Sequence, residues 1–129
     1  MNIGVIGNGF VGSALIGGFS LSVDKIYVFD KNNKLSNSTL IEVVKSTDII
    51  FICLPTPMAK LGFCDLSIME GVLSEICKLD VNFSNKIFVI KSTIPPGTTT
   101  KLSSKFVKMN FVFNPEFLTE RTARLDFIN

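Results

Sequence analysis

Asn2-Ile3-Gly4-Val5-Ile6-Gly7-Asn8-Gly9-Phe10-Val11-Gly12 is the stretch on which the fold turns. Residues 2–7 are short and apolar and read as a buried strand. Residues 10–19 follow with Val11, Ala14, Leu15 and Ile16 at helical spacing. Between the two lies Gly-x-Gly-x-x-Gly. Three glycines alone are a weak signal, because glycine is common in turns; a strand before and a helix after give the pattern meaning. Gly7 permits a tight turn, Gly9 lets the backbone come close to a pyrophosphate, and Gly12 lets helix and strand pack closely. The helix start at Phe10 and Val11 offers unpaired N–H groups and the positive end of the helix dipole to the phosphates.

Residues 25–30 read as a second strand, placing Asp30 at its end, about 20 residues beyond the glycines as a dinucleotide site requires. A carboxylate there accepts hydrogen bonds from the adenosine ribose hydroxyls and repels a 2′-phosphate, so NAD is favoured over NADP. The neighbouring Lys31 offsets part of that preference. The plainer alternative is a tight turn with a solvated Asp30. Further along, residues 38–45 read as a short helix through Leu40, Val43 and Val44, and 49–54 as a nearly all-apolar strand of the kind covered on both faces. Residues 67–79 form an amphipathic helix capped by Asp65 or Ser67, with Ile68, Val72, Leu73 and Ile76 inward. Residues 86–91 are a fourth strand, 98–106 a helix capped by Thr98, and 110–113 a fifth strand. Strands alternating with helices predict an α/β fold, a Rossmann-like doubly wound parallel sheet of about five strands in one domain spanning 1–129. Right-handed crossovers with one chain reversal predict the spatial order second, first, third, fourth, fifth.

Composition narrows the function classes. With 47% apolar and 19% charged residues the chain is an ordered globular unit, without a repeat, a linker or a low-complexity tract. A net charge of +2 without a Lys/Arg block argues against nucleic acid or an anionic membrane as partner. No apolar run is long enough to span a bilayer, and the start lacks the basic region of a signal peptide. Cys53, Cys64 and Cys77 lack metal-ligand spacing and read as free thiols in a reducing cytoplasm, so no metal is expected. The absence of histidine removes His-based triads and the commonest general base.

Three loops leave the C-terminal ends of strands, where an open α/β sheet binds its ligands. Leu54-Pro55-Thr56-Pro57 follows the third strand, and Ser92-Thr93-Ile94-Pro95-Pro96-Gly97-Thr98 the fourth. Their prolines stiffen the turns and fix where Thr56 and Thr93 point, toward cofactor or substrate, or merely end the strands. Asn114-Pro115-Glu116-Phe117-Leu118-Thr119-Glu120 follows the fifth. Asn is a preferred helix cap and Pro a preferred first helical residue, so Glu116 and Glu120 fall on one helix face. They are paired acids at a ligand edge, or a capped surface helix with solvated carboxylates.

Taken in order, GNGFVG, the strand-ending Asp30, the PTP loop, Gly62-Phe63-Cys64-Asp65-Leu66-Ser67, KSTIPPGTT and FNPEFLTE with Asp126 downstream resemble the NAD-binding domain of the UDP-glucose/GDP-mannose dehydrogenase family. The resemblance covers essentially the whole chain, and its last two motifs are far more specific than the glycines. It implies oxidation of the C6 alcohol of a nucleotide sugar to the acid with two NAD. It also implies that Thr93 positions catalytic water or the nicotinamide and that Glu116 serves proton transfer or hydrolysis. Glu120 would contact cofactor and substrate, while Phe117 and Leu118 present backbone to the sugar nucleotide.

The chain departs from the family pattern in several places. Only residues 31–37 intervene where the family has a longer stretch with an extra strand, which predicts a trimmed sheet edge. Arg121 stands where the family more often has Gly. The family's final strand and substrate domain, with its nucleophilic Cys, are expected beyond Asn129, and none of the three cysteines matches that nucleophile. The expected reading is the NAD-binding portion of a truncated nucleotide-sugar 6-dehydrogenase, inactive by itself. A stand-alone or split NAD-binding module is the alternative, and a 6-phosphogluconate or 3-hydroxyacid type of dehydrogenase the third. A homo-oligomer or the missing C-terminal half remains open as a macromolecular partner.

Overall fold

Five strands and four α-helices alternate along a computed structural model that describes residues 1–19, 23–57, 65–95 and 97–114. They are β1 (Asn2–Ile6), α1 (Phe10–Phe19), β2 (Lys25–Phe29), α2 (Leu40–Ser46), β3 (Ile49–Ile52), α3 (Ser67–Cys77), β4 (Ile87–Ile90), α4 (Thr98–Lys105) and β5 (Asn110–Phe113). A single 3-10 turn, Asn33–Leu35, lies between β2 and α2. The sheet order is β2-β1-β3-β4-β5 with every neighbouring pair parallel, the predicted arrangement. The two crossovers that flank β2 run in opposite directions, so β1 and β3 lie side by side where the winding reverses. A doubly wound sheet opens its ligand crevice there.

Alternation along the strands explains the core. Ile6, Ile50, Ile52, Phe88 and Ile90 are fully buried beneath α2, α3 and α4, joined by Val43, Val44, Met69, Leu73, Ile76 and Leu102 from those helices. Each such burial contributes roughly 1.5–3 kcal/mol relative to exposure. On the other face α1 presses Ala14 and Leu15 inward, and its Phe19 ring lies 5.7 Å from that of Phe51. Coverage on that face is incomplete: β3 alternates half-buried and buried, and Ile87 and Val112 are exposed. The all-apolar run of β3 therefore does not mean full burial on both sides.

Helix starts follow local chemistry. Thr39 caps α2 through a reciprocal capping box with Glu42. Two predicted caps are corrected. Thr98 is the first helical residue of α4 and is buried; the cap is Gly97, whose positive φ of 83° suits glycine best. The cap of α3 is Leu66, without a side-chain bond, whereas Asp65 accepts a hydrogen bond from the Ser67 N–H at 2.9 Å. No described helix is long and apolar enough to cross a membrane.

Candidate functional site

Because the strands are parallel, all five deliver their following residues to one edge. Ladder bonding continues one residue past the strands: the N–H groups of Gly7, Cys53, Lys91 and Asn114 donate to the carbonyls of Phe29, Ile6, Ile52 and Ile90 at 2.8–3.0 Å. A cleft of about 580 Å³ opens above this edge, between the glycine loop and the loops after β2, β3 and β4.

The glycine loop has the geometry that the sequence implied. Gly7 has φ 97°, and a Cβ there would lie 2.6 Å from the Cys53 carbonyl oxygen. A Cβ on Gly12 would come within 2.1 Å of the Gly7 carbonyl oxygen, so only glycine lets α1 start this close to the loop. Gly9 is the opposite case: a Cβ there would meet no atom of the described residues within 4 Å. Its open side, at the amino end of α1, suits an anionic group that must approach backbone N–H donors. Phe10 and Val11 form the first helical turn.

Asp30 follows β2 directly and is half-buried on the cleft wall. Its Oδ2 accepts from the Asn8 N–H at 2.8 Å and its Oδ1 from the Asn32 N–H at 2.9 Å. A carboxylate offers about four lone-pair sites, so acceptor capacity is left for ribose hydroxyls. Lys31 lines the same wall. The same cleft has apolar lining from Leu35 of the 3-10 turn, Leu54 and Pro55 after β3, and Ile68 and Val72 of α3. Ile68 is 39% exposed, so the helix face read from the sequence as inward is partly a cleft wall. Met69, which was not among the expected inward residues, is fully buried instead.

The loops after β3 and β4 are stitched together. The Thr56 hydroxyl donates to the Thr93 carbonyl at 2.7 Å, and the Ser92 hydroxyl to the Leu54 carbonyl at 2.6 Å. Thr93 is exposed on the cleft, whereas Lys91 is only 2% exposed although it lines it. Thus Gly7, Gly9, Asp30, Lys31, Thr56 and Thr93 come together around one cavity. Asn8, Leu35, Ile68, Val72 and Ser92 line the same cavity and were not among the expected site residues. For Asn8 the signal was its place inside the glycine motif; for Ser92 it was the strand-ending loop. Glu116, Phe117, Leu118 and Glu120, with Arg121 and Asp126, lie outside the described residues, as does Cys64. Asn114, which opens their motif, continues the ladder one residue past β5.

Comparison with known proteins agrees with this geometry. Residues 30–129 match the UDP-glucose/GDP-mannose dehydrogenase family, NAD binding domain. The UDP-glucose 6-dehydrogenase of Campylobacter jejuni is 35% identical over 106 residues, covering 81% of this chain and 26% of that protein. That of Rickettsia prowazekii is 31% identical over 162 residues, covering 99% of this chain and 37% of the relative. An alignment longer than the 129 residues of the chain means that the Rickettsia protein carries extra residues within the matched span. A crystal structure of a ternary complex of GDP-mannose dehydrogenase from Pseudomonas aeruginosa superposes with a TM-score of 0.80 at 25% identity, over 98% of this chain and 38% of that one. The chain spans about a quarter to two fifths of the lengths of these three proteins.

Proposed function

The chain belongs to the UDP-glucose/GDP-mannose dehydrogenase family, and from that premise we propose that it forms the cofactor-holding part of a nucleotide-sugar 6-dehydrogenase. The reaction is oxidation of a sugar C6 alcohol to the acid with two NAD. NAD is the cofactor of the matched domain. The observation that best supports its placement is the open side of Gly9 at the amino end of α1, with the Asp30 carboxylate on the same edge.

Bound NAD supplies the hydride acceptor; the residues of this chain hold, orient and screen it. Gly7, Gly9 and the first turn of α1 (Phe10, Val11, Gly12) receive the pyrophosphate on backbone N–H groups. Asp30 accepts from the ribose hydroxyls, with Lys31 beside it. The apolar lining from Leu35 and from Ile68 and Val72 of α3 suits the flat apolar faces of a purine. Thr56 fixes the Thr93 loop, so that the Thr93 hydroxyl orients water or the nicotinamide end. In this reading Glu116 serves proton transfer or hydrolysis, Glu120 contacts cofactor and substrate, and Phe117 and Leu118 offer backbone to the sugar nucleotide. These 129 residues act as an NAD-binding module without turnover of their own.

Titration calorimetry with NAD and NADP on the purified chain tests the cofactor site, with NAD the tighter ligand as the expected result. An NADH absorbance assay with UDP-glucose or GDP-mannose tests turnover, and none is expected from the chain alone. Absence of NAD binding overturns the placement. Sustained NADH production by the chain alone overturns the assignment of roles.

A further inference from the structure

The 3-10 turn Asn33–Leu35 buries none of its residues, and Leu35 is 42% exposed, yet this leucine stands on the cleft wall. Packing therefore does not hold the turn in place; hydrogen bonds do. Some tie it to its own strand: the Ser36 hydroxyl donates to the Asp30 carbonyl at 2.6 Å, and Asn37 bonds the Val28 N–H and the Ile26 carbonyl at 2.7 and 2.9 Å. These bonds fix the ends of the segment along β2 but not its lean over the cleft. The Asn8 side chain reaches across. Its Nδ2 donates to the Leu35 carbonyl at 2.9 Å, while its Oδ1 accepts from the Ser13 hydroxyl at 2.9 Å. Ser13 sits on α1 directly after Gly12, and the Leu35 carbonyl, which can only accept, settles which way the amide faces: nitrogen to the turn, oxygen to the helix. Asp30 makes a second bridge between the Asn8 and Asn32 N–H groups, but that carboxylate must also serve the ribose.

We propose that Asn8 is a positioning residue that pre-sets the adenine end of the cleft, pinning the turn to α1 so that Leu35 faces Ile68 and Val72 before the cofactor arrives. The inference rests on the NAD reading given above. Without the amide bridge the turn must be ordered at the moment of binding, and the cost of that ordering is subtracted from affinity. The cost falls on ligands that reach this apolar lining and spares those that do not. Asn8 touches no reacting atom, so the effect is on binding and not on chemistry.

The test is titration calorimetry of the full chain with NAD, AMP and nicotinamide mononucleotide, on wild type, Asn8→Ala, Ser13→Ala, Leu35→Ala and the Asn8→Ala/Leu35→Ala pair. Asn8→Ala is expected to weaken AMP and NAD about tenfold and to leave nicotinamide mononucleotide unchanged, the size of one or two side chains newly ordered on binding. Ser13→Ala, which only frees the amide to turn, is expected to cost about threefold, and it keeps the question answerable if Asn8→Ala folds poorly. Because Leu35 acts through the position that Asn8 gives it, the double variant is expected to bind AMP little worse than either single variant. A wild type that binds neither NAD nor AMP overturns the cofactor reading itself. A wild type that binds, with Asn8→Ala and Ser13→Ala binding AMP equally well, overturns the role of Asn8 alone. Equal losses for AMP and nicotinamide mononucleotide, or strictly additive losses in the pair, also overturn it, since a general loosening of the loop produces both.

Discussion

The two ends of the sheet use the same polar chemistry to different effect. Where the strands enter, the buried Lys86 ammonium donates to the Thr47 carbonyl at 2.6 Å and faces the Asp48 carboxylate at 3.4 Å. The Thr47 hydroxyl donates to the Val43 carbonyl, and the Asn110 amide to the carbonyls of Phe83 and Lys86. These bonds close the end. Where the strands leave, Asn8, Asp30, Thr56 and Ser92 are also bonded, but between loops, around a cavity of about 580 Å³. Here the bonds set the spacing of the loops and leave acceptor sites and the amino end of α1 turned to the opening. Saturation of polar groups at one end and spare capacity at the other is what separates scaffold from site.

That contrast is broken most easily at the glycines. Gly12→Ala forces a Cβ to 2.1 Å from a backbone oxygen, and an overpacked site of this kind is expected to lose about 3 kcal/mol or more, or to prevent folding. Gly9→Ala adds the same methyl group to open space and is expected to change stability by less than about 1 kcal/mol while weakening NAD. Urea unfolding and NAD titration on both variants decide the matter: similar stability losses would mean that the side of Gly9 is not open, and unchanged NAD affinity in Gly9→Ala that it is not a ligand surface.

Next in size is Lys86→Met. A charged hydrogen bond to a buried carbonyl is lost and the carbonyl is left without that donor, an expected destabilisation of about 1.5–3 kcal/mol. Affinity for NAD, measured well below the melting temperature, should not move. If it does, the entering end is not a pure scaffold. Asp30→Ala sharpens the opposite claim: with the proposed ribose bonds lost along with those to the Asn8 and Asn32 N–H groups, NAD is expected to lose about 1–3 kcal/mol of binding and NADP less, by calorimetry.

How much of this was legible in the sequence depends on the range of the interaction. Strand and helix positions follow from local periodicity, and the strands and α-helices lie within two residues of the expected bounds, while the 3-10 turn was not expected; the order of the sheet followed from crossover handedness. The tight turn at Gly7 and the close helix start at Gly12 were also local. The cleft wall was not. A helix beside a ligand cavity shows apolar residues to the core and to the cavity alike, so the spacing of Ile68 and Val72 with Leu73 and Ile76 could not separate the two. The bonds from Asn8 to Leu35, Thr56 to Thr93 and Ser92 to Leu54 join residues 27 to 38 apart, and nothing in either local segment announces its partner. Thr98 was misread for the opposite reason: a familiar cap residue followed a glycine whose own backbone conformation made the turn.

The smallest expected effect asks whether charge also strengthens the ties at the leaving end. Asp65 joins the loop after β3 to α3: its N–H donates to the Pro57 carbonyl at 2.7 Å, and its carboxylate accepts from Ser67. The bond with the Ser67 side chain, and after it that with the Ser67 backbone N–H, hold the Asp65 carboxyl below the usual aspartate value. A folded-state value below the unfolded one means that the contribution to stability is complete above the ordinary aspartate pKa of about 3.8 and disappears as the pH falls from there through the folded value. Asp65→Asn removes the charge but keeps the shape and the backbone bond to Pro57. Melting temperatures of wild type and Asp65→Asn should therefore differ slightly at pH 7, with wild type higher, and converge as the pH is lowered below 3.8. Partial exposure of Asp65 to solvent keeps the gap small and makes it shrink with added salt. A gap that persists unchanged below that pH would show that Asp65 acts by shape alone, and that charge does not strengthen this tie.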